Sequence, residues 1–184
     1  MNPQLTQLLR YLLLENLVFV SFIGTLLVVS ESERGPRSAA TAGAKFIACL
    51  IPASFLGWAL SAALPGELGF GAVFLFLVVA LGATLILRSW GELQGDWVGI
   101  PREIIALPLF VGSQIWLWLK GLEFAEAVVA SVGAGLAFYL AFVMVAAIRE
   151  QLELGELPDG LQKLGIVVVS MGVVAMALLG FKFF

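Results

Sequence analysis

The chain has 184 residues, of which 61% are hydrophobic and 12% charged, with a formal net charge of −3 and a mean hydropathy of +1.04. A soluble domain is about half apolar and about a quarter charged, so this composition excludes a soluble globular protein and belongs to a membrane protein. The absence of histidine rules out imidazole chemistry, the single cysteine, Cys49, can neither close an internal disulfide nor hold a metal alone, and nothing forms a basic nucleic-acid patch.

About 20 mostly apolar residues are needed to cross the hydrocarbon core. Six runs meet or approach that length: 8–29, 39–64, 68–87, 104–119, 124–148 and 164–183. The first carries Glu15 and Asn16 and lacks a small-residue cleavage site, so it reads as a retained span rather than a signal peptide. The fourth is short and contains Pro108 and Gly112, which predicts a broken helix there. Charged residues gather in the connectors 30–38, 65–67, 88–103, 120–123 and 149–163, and only the last is expected to form structure outside the membrane. Arg34, Arg37, Lys45, Arg88, Arg102, Arg149 and Lys163 lie at the odd-numbered connectors, against Arg10, Lys120 and Lys182 on the other side. The positive-inside rule then places the odd connectors in the cytoplasm and both termini outside.

Sliding the chain by 88 positions lays Phe22-Ile23-Gly24-Thr25 on Phe110-Val111-Gly112-Ser113. Three spans per half force the halves into opposite orientations. The expected fold is therefore an all-α polytopic membrane protein, a single domain over 1–184, with six transmembrane helices in an inverted 3+3 repeat. The halves run over about 8–88 and 102–184, and spans 1 and 4 are broken or short. Glycine in mid-span permits either a chain break or close helix packing. Irregular backbone at membrane depth survives only where protein or a cavity surrounds it, so the two motifs mark a central site or a pair of packing notches. Intramembrane polar groups default to functional hypotheses, and this adds Glu15, Asn16, Thr25, Ser113 and Gln114 to Gly24 and Gly112 as ion-path or central-site candidates. Glu15 has a plainer reading as an interfacial partner of Arg10. Trp90, Trp97, Trp116 and Trp118 fit interfacial belts.

Three stretches carry a family resemblance: "LAFVMVAAIREQLELGELP" at 140–158 with the closing "ALLGFKFF", "YLLLENLVFVSFIG" at 11–24, and "LPLFVGSQ" at 107–114. Together they resemble the A subunit of the Rnf electron-transport complex and the E subunit of the sodium-pumping NADH:quinone reductase, Nqr. The resemblance implies a bacterial or archaeal cytoplasmic-membrane protein that packs against a homologous subunit of inverted topology, with flavins in other partner subunits. It also implies a [2Fe–2S] cluster at mid-membrane, to which each of the two homologous subunits offers one cysteine from each broken span. The family's first cysteine follows the motif glycine by two positions, which is Leu26 here; the second falls on Gln114. Thiolates hold such clusters, so this chain is expected to carry no cluster of its own. It is expected instead to serve a redox-driven ion-translocating complex as scaffold and ion path, in a non-catalytic role. The alternative is a standalone inverted-repeat transporter or channel with its site at Gly24–Leu26 and Gly112–Gln114.

Overall fold

The computed structural model describes residues 3–32, 35–63, 69–154 and 164–180. These residues are overwhelmingly helical. A short helix α1 (Pro3–Leu9) passes into a π-helical turn (Arg10–Leu14), an irregular stretch follows, and α2 (Thr25–Glu31) completes the first apolar run. Then come α3 (Pro36–Ala63), α4 (Gly69–Ser89), α5 (Arg102–Leu119), α6 (Phe124–Leu154) and α7 (Leu164–Gly180). By length and composition α3, α4 and α6 can each cross a membrane. The 18 residues of α5 and the 17 of α7 rise about 27 and 26 Å, slightly less than the about 30 Å hydrocarbon core.

Small residues let the two longest helices, α3 and α6, approach closely. Gly43 of α3 lies against Tyr139 and Phe142, and Gly135 of α6 lies against Ile51, so the pair runs antiparallel. Membrane helices gain little from the hydrophobic effect between themselves and associate through such close contact. Phe46, Phe138 and Phe142 fill the seam, with ring centroids 5.7 to 6.0 Å apart. Helix α4 packs on α3 and α5, while α7 packs on α6 and α2. The outer side of α4 presents Phe74, Val78 and Leu85, a face suited to lipid.

Two expectations about the connectors are corrected. The connector 88–103 has structure of its own: Asp96–Trp97 and Ile100–Pro101 pair as a two-residue-per-strand antiparallel hairpin. Val98 and Gly99 at its tip both have positive φ, +53° and +77°, the backbone of a tight type I′ turn. Secondly, Glu31, placed in the connector 30–38 by the sequence, belongs to helix α2. It closes α2 fully buried, and its carboxylate accepts a hydrogen bond from Arg102 Nη1 at 2.8 Å. Of the fifth connector, 149–154 continues α6, and the turn expected beyond it lies outside the described residues.

The predicted break in the fourth span is also corrected. Helix α5 runs unbroken through both Pro108 and Gly112. Proline deletes one backbone donor and crowds the preceding turn, yet Pro108 leaves the α5 ladder continuous around it.

Candidate functional site

The first apolar run is the broken one, and Asn16 holds the break together. Its side chain is fully buried. Oδ1 accepts from the backbone N–H groups of Val18 at 3.0 Å and Phe19 at 3.1 Å, while Nδ2 donates to Leu12 O at 3.0 Å and to Ala137 O of α6 at 3.4 Å. One amide thus satisfies backbone groups that the lost helix would have paired, and ties the break to α6. Orphan backbone groups in an apolar setting cost several kcal/mol each, about as much as a lost hydrogen bond in hydrocarbon. Further on, Ile23 N–H donates to Leu17 O and Val20 N–H to Asn16 O. Gly24 adopts φ +78°, and Phe22 is also left-handed at +55°. From there α2 restarts, with the Thr25 hydroxyl donating to Phe22 O at 2.9 Å.

The broken span and α5 lie antiparallel, and the two glycine motifs meet. A Cβ at Gly24 would stand 2.6 Å from Leu109 Cδ1, and one at Gly112 would stand 2.6 Å from Ile23 Cγ2. Each glycine is the notch for a side chain of the opposite segment. Ion pairs close both ends of this seam. Glu15 pairs with Arg10 at 2.6 Å and with Lys120, whose ammonium also sits 4.5 Å from the Trp116 ring centroid and 5.2 Å from that of Tyr11. At the other end Arg102 pairs with Glu31, and Arg149 Nη1 donates to Ser32 Oγ at 3.3 Å.

Ser113 and Gln114 turn away from the seam. Ser54 of α3 donates to Ser113 Oγ at 2.8 Å, and Ser113 in turn donates to Phe110 O. Gln114 Nε2 donates to Phe110 O at 3.0 Å and to Phe76 O of α4 at 3.3 Å, and its fully buried side chain leaves no room for a Cβ at Gly57. Among the described residues, Gln114 Oε1 is buried without a hydrogen-bond partner. Leu26, by contrast, stands on the outer surface of α2, 47% exposed. The positions at which the family places cysteines therefore have unlike surroundings here: one is an outward hydrocarbon, the other an amide wedged among α3, α4 and α5. Cys49 is buried on α3 facing Gly82 and Ala83 of α4. Among the described residues no three His, Cys, Asp or Glu side chains cluster as a metal site.

Sequence reasoning singled out Asn16, Gly24 and Gly112 as special positions; the structure brings the two glycines to one seam and sets Asn16 inside the break, tied to α6. It missed Lys120 and the Glu31–Arg102 pair, whose partners lie 105 and 71 residues apart; the available signal was a lone charge at the margin of each apolar run.

A family model described as "Rnf-Nqr subunit, membrane protein" matches residues 4–184. The A subunit of the proton-translocating ferredoxin:NAD(+) oxidoreductase complex of Clostridium ljungdahlii is 28% identical over 190 residues, covering 99% of this chain and 97% of its own. The E subunit of the Na(+)-translocating NADH-quinone reductase of Shewanella denitrificans is 27% identical over 199 residues, 99% and 98% of the two chains. A more local match, 35% identical over 86 residues and covering 46% of this chain and 43% of the relative, is to the same component of the Nitrosomonas europaea enzyme.

Proposed function

This chain belongs to the Rnf-Nqr family of membrane-protein subunits, and on that premise we propose that it is an integral component of a redox-driven, ion-translocating electron-transport complex. The observation that carries the proposal is the extent of the likeness: two relatives named as subunits of such complexes align over 97% and 98% of their own lengths.

Within that complex the chain has six spans in an inverted 3+3 repeat. Supporting this, corresponding elements of the two halves pair with each other: the broken first span with α5, and α3 with α6. The relation of α4 to α3 and α5 is echoed by that of α7 to α6 and α2. The end of the molecule that carries the hairpin is cytoplasmic and both termini are outside. Here Arg102–Glu31, Lys45–Glu92 and Arg88–Glu103 gather at one end and Arg10–Glu15–Lys120 at the other, as two membrane faces require.

The residues at the family's cluster positions do not fit an iron–sulfur cluster. Leu26 has no donor atom, both amide hydrogens of Gln114 are committed to backbone carbonyls, and Cys49 lies on a different helix. No electron step is therefore routed through this chain, and redox cofactors, flavins among them, belong to partner subunits. Its role is to hold the seam between the broken span and α5 as scaffold and ion path. In that role Asn16 and Thr25 keep the break open, Gly24 and Gly112 set its closeness to α5, Glu15 guards one end, and Ser113 and Gln114 fix α5 on α3 and α4.

Purification in mild detergent tests the reading. Migration with flavin-bearing membrane subunits is the expected result. A lone homo-oligomer that moves an ion across liposomes overturns it in favour of a standalone transporter.

A further inference from the structure

Between α3 and α4 runs a groove of about 410 Å³ that the ion-path reading does not use. Its floor is made of small side chains, Ala48, Cys49 and Ala53 from α3 and Gly82 and Ala83 from α4. Larger side chains border it: Leu56 and Val79 at one end, Pro52 along α3, and Ile86 and Trp90 toward the other end. From residue 48 to residue 56 the groove follows the helix axes for about 12 Å, most of the about 15 Å that one leaflet contributes to the hydrocarbon core. The groove is lined by apolar side chains and suits a hydrocarbon chain.

The end nearest the hairpin has the chemistry of a headgroup site. Trp90 is half exposed there, as tryptophans at the membrane–water boundary are. One turn before Ala48, the Lys45 side chain is 45% exposed and bonded to Glu92. An ammonium has three donors, so two of its N–H groups can face a further acceptor.

We propose that the α3–α4 groove is a phospholipid site: one acyl chain of a lipid in the leaflet at the hairpin end lies over Cys49, Ala53 and Gly82, with its phosphate at Lys45 beside Trp90. Bound lipid seals the α3–α4 seam and fixes the end of α4 from which the hairpin springs.

The test uses the intact chain in its detergent-purified assembly, with a phospholipid carrying a photoactivatable diazirine midway along one acyl chain and a diacylglycerol analogue lacking the phosphate. Adducts are expected to concentrate on residues 48–56 and 79–86. Gly82→Leu fills the floor, and since a Cβ at Gly82 meets nothing within 4 Å, the variant is expected to fold. It is expected to cut the adduct yield about tenfold, the factor that follows when a site loses about 1.4 kcal/mol of binding. Lys45→Gln is expected to lower labelling by the phospholipid several-fold and leave that by the diacylglycerol analogue unchanged. Cys49, the only thiol in the chain, supplies an independent readout: added phospholipid slows its alkylation by N-ethylmaleimide, and Gly82→Leu abolishes that protection. Adducts spread evenly over all lipid-facing helices, an unaltered yield in Gly82→Leu, or cross-linking of Cys49 to a neighbouring protein of the complex overturns the proposal.

Discussion

Phe22–Thr25 and Phe110–Ser113 have nearly the same sequence and opposite structures. In the first, the chain leaves the helix at Glu15, passes through left-handed Phe22 and Gly24 and restarts at Thr25. In the second, α5 carries the same residue pattern through an unbroken helix, and Gly112 is a shallow place for Ile23. The difference lies outside the motifs. Asn16 provides both an acceptor and donors to the backbone that the break exposes, whereas α5 has no such residue upstream and keeps its own ladder despite Pro108. A glycine permits a break; a buried amide makes it affordable.

The comparison is broken most severely at Asn16. Asn16→Ala leaves the Val18 and Phe19 N–H groups buried without acceptors, at about 1–3 kcal/mol each, and a loss of about 4 kcal/mol is expected in unfolding of the detergent-solubilised protein. A loss below about 1 kcal/mol would show that the break does not depend on this side chain. Next is the buried end of the seam: Glu31→Ala strands the Arg102 guanidinium and is expected to cost about 3 kcal/mol. The two glycines then separate by rescue. Gly112→Ala forces Ile23 aside at about 1–3 kcal/mol, and Ile23→Ala in the same chain should recover most of it. Gly24→Ala also strains a left-handed backbone by about 1–2 kcal/mol, so Leu109→Ala should recover only the part due to crowding. The smallest effect belongs to Glu15→Gln at the more open end, expected at about 1 kcal/mol or less because its pairs with Arg10 and Lys120 are partly solvated. A larger loss there would mean that Glu15 does more than pin the break to α5.

The helices were legible because long uncharged runs can do little else in a bilayer, and the polar pair Glu15–Asn16 marked the first span as unusual. The sequence could not show what Asn16 does, since its partner Ala137 O lies 121 residues away. Pro108 misled for a related reason: a proline reads as a break, but continuity is decided by whether packing from α3 and α4 supports the rest of the helix. The hairpin was missed because two residues per strand carry no alternation to detect, although Val98-Gly99 is glycine-marked. Glu31 read as a loop charge for want of any local sign of Arg102, its partner from the far half of the chain.

The central claim is that this protein keeps the family's scaffold while contributing no ligand to a cluster. Iron content and the iron–sulfur spectrum of the natively purified complex, compared between the wild type and Cys49→Ser, test it most directly. The account predicts identical iron and identical spectra in the two preparations, with the chain still bound to its flavin-bearing partners. A cluster signal that disappears with the Cys49 thiol would contradict it.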